Sequence, residues 1–119
     1  MHPKKKNLLL LFIVFASVVF AQETATIENI TSFEGKTITI CEKVTGIHET
    51  KGENAVLNFG KAYPNNAFSI IIFKRDREKF SYNPLEFLNS KTICITGTVI
   101  MYKGKPEIVI KNEAEIVIR

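Results

Sequence analysis

Aromatic and basic residues lie side by side at two places in the second half of the chain. Lys61 and Tyr63 fall within KAYPNNA, and Tyr102, Lys103 and Lys105 fall within YKGK. Tyrosine rings offer flat faces on which bases stack, and lysine ammonium groups contact phosphates. These residue types favour binding of a single-stranded nucleic acid. The alternative for the second group is an ordinary solvated hairpin turn.

A larger set of candidate ligand-binding residues shares these properties or adds amides that suit base edges. The set is Asn58, Phe59, Lys61, Tyr63, Phe68, Lys74, Arg75, Tyr102, Lys103 and Lys105. Asn58, Asn65 and Asn66 either read bases or bond the local backbone. Phe59 and Phe68 alternate with polar neighbours, and core packing is the competing interpretation for both rings.

The remaining polar residues form no recognisable catalytic or metal-binding motif. His48 is the one histidine beyond the N-terminal segment, so the ligands of a structural zinc site are missing. Asp76, Glu78 and Glu86 do not show a spacing that demands general acid–base catalysis. We therefore expect a protein with no catalytic residue, no metal and no cofactor.

The N-terminus has the organisation of an export signal. A basic start, MHPKKKN, precedes the apolar run LLLLFIVFASVVF, which is short for a membrane span, and Ala21 follows at a cleavage position. The pattern predicts a cleaved signal peptide over residues 1–21, with an uncleaved membrane anchor as the alternative. The remaining residues, 22–119, are then a single periplasmic or secreted domain without stable membrane insertion.

Cleavage changes the charge balance of the protein. Lys4, Lys5 and Lys6 leave with the signal, so the 16 basic residues fall to 13 against 12 acidic residues, a net charge of +1. Overall charge therefore does not support a nucleic-acid ligand, and any such argument depends on local clusters.

The elements that position these residues are predicted to be mainly strands. Alternating apolar and polar residues or short Val/Ile/Phe-rich runs mark five segments: KTITICEKVTGI, AVLNFG, FSIIIF, KTICITGTVIMY and EIVI. KRDREKFSYNPLEFLNS lacks alternation, and Pro84 suits the start of a short helix with Leu85 and Leu88 facing inward. Gly97 predicts a bulge or bend in the fourth strand.

Three strands, a short helix and two strands follow the order of the oligonucleotide/oligosaccharide-binding (OB) fold. GKTITICEKVTGI, LNFG, FSIIIF and SKTICITGTVIMYKGKPEIVI resemble OB-fold nucleic-acid-binding domains of the tRNA-anticodon and helicase type. The hairpin LN-x-G…YP-x-x-x-F is similar to that of the small exported bacterial versions. The resemblance covers most of residues 35–118.

The resemblance implies an all-β protein, a five-stranded OB-fold Greek-key barrel with one short helix between strands three and four. It also implies a non-catalytic module that binds single-stranded DNA or RNA on the face of strands two and three. The near-neutral charge favours an alternative, a module that binds an envelope protein or a glycan and no nucleic acid.

The two cysteines predict a disulfide in this barrel. An even count in an exported chain favours pairing, and Cys41 and Cys94 fall on strands one and four, which are antiparallel neighbours in the OB fold. We expect the bond to join these strands across the closing seam, provided that the strand register brings the two residues together.

Overall fold

The computed structural model of the protein describes residues 23–119. The predicted signal peptide, residues 1–21, lies outside the described residues. Within them the chain forms six strands and two short α-helices. In chain order the elements are β1 (Thr37–Glu49), β2 (Ala55–Phe59), β3 (Phe68–Ile72), α1 (Lys74–Arg77), α2 (Pro84–Leu88), β4 (Thr92–Tyr102), β5 (Lys105–Val109) and β6 (Ile116–Ile118), with 3-10 turns at Ile30–Phe33 and Glu113–Glu115.

Five of the strands close into a mixed barrel. β1 pairs antiparallel with β2 and β4, β2 with β3, and β4 with β5. A parallel pairing of β3 with β5 completes the ring. β6 pairs antiparallel with β4 outside it. The predicted five-stranded barrel with a short helical connection between strands three and four is confirmed, and that connection holds two helical turns.

The barrel interior follows from the period-two alternation of its strands. Side chains from all five strands are fully buried there; among them are Ile40, Leu57, Ile70, Ile95 and Ile108. α2 begins at Pro84 as predicted, and the Asn83 side chain accepts a hydrogen bond from the Leu85 amide at 3.1 Å. Leu85 and Leu88 are buried beneath the barrel strands, as the sequence indicates. No helix within residues 23–119 is long and apolar enough to span a membrane.

Gly97 allows close packing, and of the predicted bulge or bend at this residue the bulge is absent from the β1–β4 ladder. The β1–β4 ladder runs without a register shift through Gly97, and the irregularity lies between Val44 and Gly46 of β1. A Cβ atom at position 97 would lie 2.4 Å from Cγ2 of Ile108. Glycine therefore allows the fully buried Ile108 side chain to approach the β4 backbone.

The predicted disulfide is present at the seam between β1 and β4. Cys41 and Cys94 are directly opposite in the ladder, with Cα atoms 3.9 Å apart. Two residues further along each strand, the hydroxyls of Thr39 and Thr96 form a hydrogen bond of 2.8 Å. The seam is thus joined by both a covalent bond and cross-strand hydroxyl pairs.

Candidate functional site

The outer surface of β2, β3, β5 and the end of β4, here called the sheet face, carries two rows of side chains set by the strand register. The rows are Asn58, Ser69, Glu107 and Ile100, and Val56, Ile71 and Val109. OB-fold domains use this face and its bordering loops to hold ligands. Most of its side chains here are aliphatic or small, so the aromatic residues must come from the bordering loops.

The loop between β2 and β3 presents one tyrosine. It begins at Gly60, whose φ of 91° is a conformation that favours glycine, and it closes through a 2.8 Å hydrogen bond from the Ala67 amide to the Phe59 carbonyl. Thr45 Oγ1 lies 3.0 Å from the Lys61 carbonyl oxygen and fixes the start of the loop on β1. Tyr63 is 77% exposed, so its ring is available to a ligand.

The hairpin between β4 and β5 presents the second tyrosine. Lys103 and Gly104 form its two-residue turn with φ angles of 48° and 79°, the positive values of a type I′ turn. Tyr102 is 54% exposed, and the Lys103 ammonium lies 5.4 Å from the centre of its ring. The aromatic and basic residues predicted from YKGK therefore lie together at the hairpin tip.

Lys105 joins the hairpin to the loop. Its Nζ donates hydrogen bonds to the Pro64 carbonyl and, at 3.0 Å, to Asn66 Oδ1, and it lies 5.8 Å from the centre of the Tyr63 ring. The two predicted aromatic–basic groups thus lie at one edge of the sheet face. We call this group the aromatic corner, and its exposed members are Lys61, Tyr63, Tyr102 and Lys103.

Phe59 and Phe68 belong to the core, which corrects their predicted role as stacking residues. Both rings are fully buried and stack on each other, with centroids 4.5 Å apart, so no ring face is open to a base. Asn58 is also buried, and its Oδ1 accepts hydrogen bonds from Ser69 Oγ at 3.0 Å and Asn66 Nδ2 at 3.3 Å. The Asn58 side-chain amide therefore joins β2 to β3 and to the loop between them, and it is not exposed to a ligand.

Lys74 and Arg75 lie at the opposite end of β3 from the aromatic corner. The Lys74 ammonium forms an ion pair with Glu53. The hydrogen bond and charge attraction between these two side chains raise the pKa of Lys74 and lower that of Glu53. The Arg75 side chain is 81% exposed, with Nε 4.0 Å from Asp76. Of the two predicted phosphate contacts, Arg75 is thus the more accessible.

Two further residues on or beside the sheet face, Glu107 and Phe73, were not predicted from the sequence. Glu107 lies between Ser69 and Ile100 in the strand register, and burial raises the pKa of its carboxyl group. Phe73 follows β3 directly and is 40% exposed. The alternation of EIVI could have placed Glu107 on the outer face, because the next residue, Ile108, points into the core.

A charged cleft of about 300 Å³ lies between the β1–β2 turn and the helical connection. Arg77 lines it and donates hydrogen bonds of 3.0 Å to Glu49 Oε1, 3.0 Å to the Glu53 carbonyl and 3.4 Å to Asn83 Oδ1. These bonds hold two loops together. Within residues 23–119, no three His, Cys, Asp or Glu side chains are grouped so as to hold a metal ion.

No family model matches the chain, and no curated protein matches it. Solved structures share its fold. An aspartyl-tRNA synthetase from Entamoeba histolytica has 20% sequence identity and a TM-score of 0.54, over 81% of this chain and 21% of that one. A Leishmania major Friedlin protein described as an aspartyl-tRNA synthetase has 13% identity and a TM-score of 0.53, over 88% of this chain and 22% of that one.

A third similar structure is of comparable size. OBody AM1L10, solved bound to hen egg-white lysozyme, has 20% identity and a TM-score of 0.57, over 85% of this chain and 97% of that one. The chain spans about a fifth of the length of the two synthetases. Together with the strand topology, these likenesses establish an OB fold.

Proposed function

We propose that this OB-fold domain is an exported, non-catalytic module that binds single-stranded nucleic acid at the aromatic corner. The observation that carries the proposal is the exposure of Tyr63 and Tyr102, at 77% and 54%, on two adjoining loops that also carry Lys61 and Lys103. Stacking platforms beside cations are what sequence-tolerant binding of single strands requires. Two of the solved structures with a similar fold are aspartyl-tRNA synthetases, and this likeness also supports a nucleic acid as the ligand.

The charges around the corner define how the strand binds. Lys61 and Lys103 are exposed, whereas Lys105 already bonds the loop. The Glu107 carboxylate repels phosphates from the middle of the sheet face, so the backbone of the strand follows the loops and its bases stack on the tyrosines. With two phosphate contacts, log K falls with log salt with a slope of about −1.4, since each contact on a single strand contributes about −0.7.

The test is fluorescence anisotropy of oxidised residues 22–119 with a labelled single-stranded oligonucleotide, at low and near-physiological salt. Replacing Tyr63 or Tyr102 by Ala removes one stacking platform worth about 1–3 kcal/mol, which weakens binding by roughly 5- to 150-fold. Tyr63→Phe is the matched control, because it keeps the ring face and should bind like the native protein. Absence of binding at low salt, where phosphate contacts are strongest, rejects the proposal.

A second candidate function is binding of an envelope protein or a glycan through the sheet face. The half-buried row of Val56, Ile71 and Val109 is aliphatic at the centre of the face, and Glu107 beside it forms no ion pair with a described residue. An OB fold of this size that is bound to lysozyme illustrates such a partner. Ile71→Glu discriminates: loss of a co-purifying partner in this variant, but not in Tyr63→Ala, favours the second function.

A further inference from the structure

Lys105 differs from the other lysines of the aromatic corner because its ammonium is already bonded. The residue is half-buried on β5, opposite Tyr102 in the ladder. An ammonium group has three N–H donors. Two of them meet the Pro64 carbonyl and Asn66 Oδ1, and the group lies within cation–π range of the Tyr63 ring. These two hydrogen bonds leave at most one donor for a phosphate while the contacts hold.

The acceptor that holds Lys105 is itself fixed. Asn66 is 6% exposed, and its Nδ2 lies 3.0 Å from Ser69 Oγ and 3.3 Å from Asn58 Oδ1. Ser69 Oγ also bonds Asn58 Oδ1 at 3.0 Å. A continuous polar network therefore runs from the Lys105 ammonium through the loop to β2 and β3. Buried networks of this kind are rigid when every member is satisfied.

Apart from the Asn66 side-chain hydrogen bonds to β2 and β3, the loop has few attachments to the barrel that do not involve Lys105. Its ends are held by Thr45 at Lys61 and by the closing hydrogen bond at Ala67. Between them, the Asn65 amide bonds the Ala62 carbonyl within the loop. The contacts of Lys105 thus connect the tip that carries Tyr63 to the hairpin that carries Tyr102.

We propose that Lys105 is a positioning residue, which holds the loop 61–66 against the β4–β5 hairpin and so fixes the placement of the Tyr63 ring for a single-stranded ligand. The proposal rests on the proposed function of the aromatic corner and replaces the predicted role of Lys105 as a phosphate contact. Its benefit to binding is entropic, because a loop that is ordered before the ligand arrives loses less conformational freedom on association.

The experiment compares two variants of neighbouring lysines in the oxidised protein. Lys105→Met keeps an unbranched apolar side chain and removes the ammonium; Lys103→Met does the same at the exposed turn. Affinity for a labelled single-stranded oligonucleotide is measured over a salt series. We expect Lys105→Met to weaken binding roughly 5- to 20-fold with an unchanged salt slope, and Lys103→Met to reduce the slope by about 0.7, the value of one phosphate contact.

A double variant separates positioning from direct contact. If Lys105 acts through Tyr63, Lys105→Met combined with Tyr63→Ala binds no more weakly than Tyr63→Ala alone, because the ring to be positioned is gone. A slope reduced by about 0.7 in Lys105→Met, together with additive losses in the double variant, identifies Lys105 as a phosphate contact and overturns the proposal.

Hydrogen exchange of the ligand-free protein tests the positioning without any oligonucleotide. Lys105→Met should raise the exchange rate of the Asn65 amide at least several-fold while amides of β2 and β3 keep their protection. Lys105→Gln serves as a second variant should Lys105→Met lower protection throughout the barrel. Unchanged exchange in the loop overturns the proposal, whereas failure of the native protein to bind oligonucleotide with this exchange effect intact rejects only the proposed function.

Discussion

The disulfide stabilises the folded barrel because it restricts the conformations of the unfolded chain. The size of this effect follows from the number of residues between the two cysteines. Cys41 and Cys94 are 53 residues apart. Constraining a loop of this length in the unfolded chain stabilises the folded state by about 4 kcal/mol at 25 °C in the chain-entropy treatment. A domain of this size has a free energy of unfolding of only about 5–15 kcal/mol. We therefore expect the bond to supply a large share of the barrel's stability.

Replacing both cysteines by Ala removes the bond and leaves the other paired residues of the β1–β4 ladder unchanged. Urea unfolding of this variant and of the oxidised protein gives the two free energies. With an m-value of about 2 kcal/mol/M, a loss of about 4 kcal/mol lowers the midpoint by about 2 M. The matched control is the double substitution Thr39→Val and Thr96→Val. It removes a hydroxyl pair from the same seam and should cost about 1 kcal/mol.

Comparing the free energies of unfolding of these two variants can refute the chain-entropy explanation. If the cysteine variant loses no more free energy of unfolding than the threonine control, the entropy of closing the 53-residue loop does not govern the stability of the seam. The unfolded chain would then already hold β1 near β4. Two free thiols found by mass spectrometry in the purified native protein would contradict the bond itself.

Three further predictions concern packing and titration. Gly97→Ala should destabilise the barrel by about 1–3 kcal/mol in urea unfolding, because its Cβ meets Ile108, whereas Gly52→Ala in an exposed turn should be near neutral. Since burial raises the folded-state pKa of Glu107, stability should fall as pH rises above about 4 through that pKa, and Glu107→Gln should flatten this dependence. Burial likewise raises the pKa of Tyr82, so its phenolate absorbance should develop only above about pH 10 and accompany a loss of stability.

Alternation and short Val/Ile/Phe-rich runs were sufficient to predict the strands, and the order of the elements together with the family resemblance predicted the barrel. The alternation placed Ile93 and Ile95 on the buried face of β4, and the break in alternation together with Pro84 located α2. It did not decide between ligand and core for Phe59 and Phe68. An aromatic ring on an alternating strand satisfies either role, and the choice depends on the partner strand that places the two rings against each other.

The basic residues show a different limit of sequence reasoning. The sequence shows where a lysine charge lies in the chain, but it does not show which group pairs with that charge in the fold. Glu53 of the β1–β2 turn pairs with Lys74 after β3, and the acceptors of Lys105 lie about forty residues before it in the chain. Such partners are brought together only by the closed barrel, so the sequence overestimated the number of cations available to a ligand.

The pairing of these lysines has a consequence for recognition. Lys74 pairs with Glu53 of the β1–β2 turn, and Lys105 donates hydrogen bonds to the β2–β3 loop. Two lysines that were predicted to bind phosphates are therefore engaged within the protein, and in our proposal for Lys105 such contacts order the loops around the sheet face. Loops ordered in this way favour ligand binding by lowering its entropy cost, and they do so without adding net positive charge. Binding at the aromatic corner should accordingly depend more on the two tyrosine rings than on salt. An affinity that collapses with salt as steeply as that of a highly basic protein would be inconsistent with this arrangement.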